Sequence, residues 1–257
     1  MDVPVATATL TAFLLASTRA AAWLVMSPPF SSGVLPGRIK ALLAAAIAAP
    51  VVPSLVDKVP ALDTFGMVAS VAEQMVLGTV LGFLTSMVFA AIKAAGDLID
   101  LFGGFSVAFA FDPLGASGSS GGGPFGRFYN VMAITLLFAT DGHQLILRGF
   151  TNSYRVLPLN GALSLHDLQH LVTNGLVEMF ASAIQIAGPL VAVLFCTDIG
   201  LGLLSRVAPA LNAFSLGFPA KILLTLGGAG IALSLLPQVV SNIVTEAVRL
   251  VLQVVGS

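Results

Sequence analysis

QMVLGTVLGFLTSMVFAAI, residues 74–92, carries no charge over nearly the length a helix needs to cross a bilayer, about 20 apolar residues. In a soluble protein it would be a fully buried helix, and the rest of the chain would have to supply a polar surface. It does not. Of the 257 residues, 57% are apolar before the 26 glycines are counted, and 9% are charged, against about 25% in an ordinary soluble domain. The stretch therefore reads as a membrane helix. Working outward, Met179–Thr197 and Ile222–Thr245 are further apolar candidates, and Val3–Phe30 is interrupted by one charge, Arg19. Phe125–Leu147 reads as another span, carrying Arg127, Asp141 and His143. Ala41–Val56 is short and holds Pro50 and Pro53, and Leu101–Phe111 is too short to cross alone. The expectation is an all-α, polytopic helical membrane protein, with about six long apolar helices plus half-helices or hairpins, forming a single helical membrane domain over residues 1–257.

Charge and cysteine content exclude several classes. The net charge is −1 with no basic cluster, so nucleic acid is not an expected partner. The single cysteine, Cys196, excludes an intrachain disulfide and argues against a zinc cluster. The start, MDVPVATATL, lacks the basic region of a cleaved signal peptide. Positive residues should mark one side of the membrane. Simple serpentine threading does not put Arg38, Lys40, Arg148, Arg155, Arg206 and Lys221 on one side. Either some segments are half-hairpins, or the chain is not a free-standing bundle in lipid, since helices buried among protein neighbours escape that rule. Gly78 and Gly82 form a Gly-x-x-x-Gly, extended by Ala90/Ala94 and Ala91/Ala95, a pattern that lets helix backbones approach closely. Pro237 to Val255 reads as a helix with an apolar stripe, Glu246 and Arg249 lying off it.

GASGSSGGGPFG, residues 115–126, is the one flexible run between apolar segments. Gly115-Ala116-Ser117-Gly118 matches the Gly-x-Ser-Gly of rhomboid intramembrane proteases, with His143, His166 and His170 as the available bases. The glycines and serines that follow cannot begin the helix such a serine needs. No lysine follows a glycine as in a phosphate loop. Lys93, Asp97 and Asp100 fall on one helical face, and Asp141 and Asp198 lie near segment ends. Ionisable groups at membrane depth point to an ion or proton path, so a secondary transporter or ion channel is the alternative reading. Pairing at helix ends is the structural one.

The order of short motifs resembles the FliR family of flagellar type III export, called SctT in injectisomes. Near the start are Arg19, Ser27-Pro28-Pro29-Phe30, Pro36, Arg38 and Lys40; Glu73, Gly78 and Gly82 resemble the family's Glu-x4-Gly-x3-Gly helix. Ala95-Gly96, Gly104, Phe105, Ala108 and Asp112-Pro113 come next, then Leu137-Phe138-Ala139, Gly142-His143, Ser153-Tyr154 and Leu157-Pro158. Pro189, Asp198, Gly200, Gly202 and Arg206 precede Pro209, Asn212, Phe214, Gly217, Pro219 and Lys221, which resemble Pro-x-x-Asn-x-Phe-x-x-Gly-x-Pro-x-Lys. The glycine-serine run after Asp112-Pro113 departs from the family's usual short, mixed segment.

The resemblance implies a non-enzymatic subunit without a cofactor, in the bacterial inner membrane and the flagellar basal body. It implies partners of FliP and FliQ type, and FlhB- and FlhA-type proteins, around a channel for unfolded export substrates. It divides the chain into a FliP-like part, 1–175, and a FliQ-like part, 176–257. It makes the loop a channel plug, with Phe111, Asp112, Pro113, Gly115, Gly118, Gly121, Gly122, Gly123, Pro124 and Phe125 as its residues; a plain linker is the alternative. Gly78, Gly82, Pro209, Asn212, Phe214, Gly217, Pro219 and Lys221 are expected to serve packing and assembly. Pro209 to Lys221 is expected to form a broken-helix turn between two helices.

Overall fold

The computed structural model describes residues 3–28, 30–31, 35–59, 64–105, 123–159, 165–208 and 217–230, with isolated helical positions at 237–239, 242 and 245. Among them every regular element is a helix. α1 is Val3–Met26 and stops at Ser27-Pro28. α2, Gly37–Ala48, starts after Pro36 and ends just before Pro50, whose ring cannot continue a helix. Two short 3-10 turns, Val52–Ser54 and Val56–Lys58, follow. α3 runs Thr64–Gly103, and Gly104 at φ +85 stops it in the left-handed conformation that favours glycine. α4 is Pro124–Ala139 and α5 is Gly142–Val156. α6 is Leu165–Val207, with Pro189 inside it. α7 covers 217–230.

Among the described residues three helices are long and apolar enough to cross a membrane, over Thr7–Met26, Phe65–Gly103 and Leu168–Val207. The stretch that opened the reading lies inside a helix of 40 residues, and Met179–Thr197 lies inside one of 43. At 1.5 Å per residue each is about 60 Å long, roughly twice the hydrocarbon thickness of a bilayer. Hydropathy marks the apolar centre of such a helix and misses its ends. Phe125–Leu147 requires correction: it is not one span but two helices, broken at Asp141. That residue sits at φ 57 and is the only described non-glycine residue with positive φ. Aspartate tolerates this conformation better than most side chains, and the chain turns there. Of Ile222–Thr245, the part to residue 230 lies in α7; most of the remainder, like most of Pro237–Val255, falls outside the described residues.

The chain forms two compact units. One gathers α1, α2, the part of α3 up to Val88, α5 and the start of α6. Its core shows a 3-4 spacing on α1, where Ala12, Leu15, Ala16, Ala20, Trp23 and Leu24 are buried against Ala44 and Ala48 of α2, Leu81 of α3, and Phe150 and Tyr154 of α5. Here α1 and α3 run parallel: Gly78 meets Arg19 and Ala22, and one turn on Gly82 meets Trp23 and Met26. The other unit gathers α3 from Phe89, α4, most of α6 and α7. In it α7 packs antiparallel to α6, with Gly217 near Leu201, Lys221 paired to Asp198, and Gly228 near Leu190.

Candidate functional site

The glycine-rich loop leaves the end of α3 and returns at the start of α4, and the two helices run antiparallel below it. Gly96 faces Phe125 and Gly126, and Asp100 faces Gly123. A Cβ on Gly96 would lie 2.6 Å from the Phe125 carbonyl oxygen. One on Gly126 would fall onto the Asp97 carboxylate, and one on Gly123 onto that of Asp100. At Gly96 the obstacle is backbone, so no side chain fits there while the helices stay this close; at Gly123 and Gly126 the aspartates would have to move.

Asp100 explains the closeness. The residue is 1% exposed. Oδ1 accepts the Phe125 N–H at 3.1 Å and Oδ2 accepts the Gly126 N–H at 2.9 Å. These N–H groups belong to the first turn of α4, where the helix itself offers no acceptor. Gly123 stands at the N-cap position and has no side chain to cap with, so an aspartate from the neighbouring helix does the capping. The negative charge also faces the positive end of the α4 dipole. Phe105 closes the neck, its ring 5.2 Å from that of Phe125 and edge-on. The residues on either side of the glycine-rich run are thus held together.

Asp100→Ala is expected to leave the part-buried Phe125 N–H and the buried Gly126 N–H without their acceptor, at a cost of about 1–3 kcal/mol. Hydrogen exchange at Phe125 and Gly126 should then accelerate roughly tenfold or more, the factor that 1.4 kcal/mol carries. Exchange mass spectrometry of the peptide over residues 123–130 checks this; unchanged rates would show that the cap holds nothing.

In the first unit a buried cation mirrors the buried anion. Arg19 is 0% exposed in the middle of α1. Its Nε donates to Gln74 Oε1 at 2.7 Å, and Nη1 donates to the Leu157 carbonyl at 2.9 Å. The Ser153 carbonyl lies 3.5 Å from Nη1. The two carbonyls belong to the end of α5, so the guanidinium caps a helix C-terminus and complements its negative pole. It also lies 4.5 Å above the Tyr154 ring, a favourable place for a cation. Tyr154 donates its hydroxyl to the Ala16 carbonyl at 2.8 Å, and Trp23 stacks on Phe150 at 4.5 Å. Trp23 Nε1 donates to Thr85 Oγ1 at 3.2 Å. Gly78 and Gly82 allow this: a Cβ on Gly78 would press on the Arg19 carbonyl, and one on Gly82 would lie 2.8 Å from that of Trp23.

Of the residues singled out in sequence, Gly78, Gly82, Gly123, Pro124, Phe125, Gly217, Pro219 and Lys221 are described. Gly123, Pro124 and Phe125 come together with Asp97 and Asp100 at the neck. Gly217 and Lys221 lie on the face of α7 that meets α6, where Lys221 pairs with Asp198. Phe111, Asp112, Pro113, Gly115, Ser117, Gly118, Gly121 and Gly122, and Pro209, Asn212 and Phe214, lie outside the described residues. So do positions 209–216 of the expected broken-helix turn; α6 ends before them and α7 begins after them. Asp100 and Asp141, both candidates for an ion path, have structural duties as a helix cap and a turn. Sequence reasoning missed the roles of Trp23, Gln74, Phe150 and Gly126. A lone arginine inside an apolar helix was the available signal, since such a residue must have buried partners.

Comparison with known proteins finds matches over nearly the whole chain. Residues 10–247 match the model of a family described as "Bacterial export proteins, family 1". The chain is 31% identical over 253 residues to the flagellar biosynthetic protein FliR of Bacillus subtilis (strain 168), covering 95% of this chain and 96% of that protein. It is 30% identical to FliR of Pectobacterium carotovorum subsp. carotovorum, covering 89% and 86%. The surface presentation of antigens protein SpaR of Salmonella typhimurium is 28% identical, covering 76% and 72%. With a match that spans most of its length and relatives at this identity, the chain belongs to the FliR/SctT family of bacterial export proteins.

Proposed function

We propose that this chain is a non-enzymatic subunit of the flagellar protein-export gate, sitting in the bacterial inner membrane with FliP- and FliQ-type subunits, near FlhA- and FlhB-type proteins. The observation that carries the reading is the family match over residues 10–247. Two structural features support it. α3 and α6 are longer than a bilayer is thick, so their ends need water or protein neighbours. Only 22% of the apolar window of α6 is buried within the chain, and Phe180, Ile184, Phe195, Ile199 and Leu203 leave it exposed. A surface of this size is covered by lipid or by other subunits. The division into a FliP-like part, 1–175, and a FliQ-like part, 176–257, is part of the same proposal, as is the assembly role of Pro209, Asn212, Phe214, Gly217, Pro219 and Lys221.

In this reading the loop between Asp112 and Phe125 closes the resting channel. An ordered glycine loses more conformational entropy than any other residue. A run of glycine and serine therefore yields to a passing chain at little enthalpic cost and returns when it has gone. The antiparallel α3–α4 neck supports this by holding both ends of the loop in place. Purification in mild detergent tests the gate reading. The chain is expected to co-purify with FliP- and FliQ-type subunits, and its removal should abolish secretion of flagellar substrates. A chain stable alone that binds a small solute would favour a transporter instead.

A further inference from the structure

We propose that His166 and His170 form a site for one divalent late-transition cation, of the zinc and nickel class, at the amino-terminal end of α6. The two residues are one helical turn apart, and both are exposed. Their Nε2 atoms are 3.2 Å apart, and the ring centroids are separated by 4.4 Å. Two imidazole nitrogens bound to a tetrahedral cation at about 2.0–2.1 Å lie roughly 3.3 Å from each other. The pair already stands at that bite, so binding needs little rearrangement. In the free protein one Nε2 donates to the other. Chelation requires both Nε2 lone pairs, so the donating ring moves its proton to Nδ1. A neutral pair therefore releases no net proton.

The location suits a hydrated ion. His170 precedes the uncharged stretch Met179–Thr197 by nine residues, about 14 Å along the helix. Imidazole nitrogen selects zinc, nickel, copper and cobalt over magnesium and calcium. Among the described residues no cluster of three or more histidine, cysteine or acidic side chains forms a larger metal site. The chelate bridges one turn and fixes the start of α6.

The test uses the full-length chain in detergent, without a histidine tag, titrated with zinc chloride by calorimetry at pH 7.5. One zinc per chain is expected, weakened tenfold or more by either His166→Ala or His170→Ala. Cys196→Ser should bind as the unmodified chain does, and magnesium chloride should give no heat. Zinc should also raise the thermal midpoint of the unmodified chain and leave that of the double alanine variant unchanged. Equal zinc binding by the double variant, or no saturable binding below millimolar zinc, would overturn the site.

Discussion

Gly78→Leu is expected to remove the chain from the membrane fraction. A side chain at residue 78 presses on the Arg19 carbonyl, and its nearest further neighbour is the Ala22 Cβ at 2.8 Å. Neither can rotate away, because one is backbone and the other is the first side-chain atom. Relief requires α1 and α3 to separate. Overpacking alone costs about 1–3 kcal/mol, and separation also pulls Arg19 from Gln74 and Trp23 from Thr85. Gly200→Ala is the control, since no atom lies within 4 Å of a Cβ built there, and replacing a helical glycine by alanine gains about 0.4–1 kcal/mol where it fits. Immunoblots of membranes should show near-complete loss of Gly78→Leu and normal amounts of Gly200→Ala. Equal abundance of the two would mean that the close approach of α1 and α3 is dispensable.

Arg19→Met should be nearly as damaging although methionine suits an apolar helix. The substitution keeps much of the volume and removes every donor. The Leu157 carbonyl oxygen and the Gln74 amide oxygen would lose the guanidinium that serves them now, while the Ser153 carbonyl keeps the Leu157 N–H. Leaving buried acceptors unsatisfied costs about 1–3 kcal/mol each, a large share of the roughly 5–15 kcal/mol that holds a typical domain. Arg19→Lys should not rescue, because one ammonium cannot reproduce the planar fork that spans α3 and α5. Thermal denaturation of the detergent-solubilised complex should place both variants well below the unmodified protein. A midpoint for the Arg19→Met variant equal to that of the unmodified chain would refute the capping role.

How far these positions could be read from sequence follows from their physics. The apolar runs around Gly78 and Ile184 announced membrane helices, because hydropathy depends on composition alone. The Gly78–Gly82 spacing pointed to close packing without naming what packs there; the neighbour is α1 of the same chain. Helix length was not legible, since the charges of Glu73, Lys93, Asp97 and Asp100 bound the uncharged run, whereas the helix continues past them on both sides. The break at Asp141 was hidden because a left-handed residue changes the path without changing hydropathy. Asp97 and Asp100 looked like parts of an ion path because charge inside an apolar segment signals only that some partner exists. The partner of Asp100, two backbone N–H groups, has no side-chain signature. Arg19 was visible as an anomaly for the same reason, and its acceptors on α5 are remote in sequence.

If the glycine-rich loop seals the resting gate, as proposed, channel conductance reads that seal. The deletion removes residues 115–122 and spares Gly123, which sits against the Asp100 cap. The purified complex, carrying the unmodified or the shortened chain, is placed in a planar bilayer under a constant potential with no export substrate present. Both complexes should assemble with the same subunits, because the neck of Asp100, Phe105 and Phe125 is intact. The unmodified complex should hold the membrane electrically closed, and the shortened one should pass a steady ionic current. A shortened complex that assembles fully and stays as closed as the unmodified one would contradict the account and leave residues 115–122 as a linker.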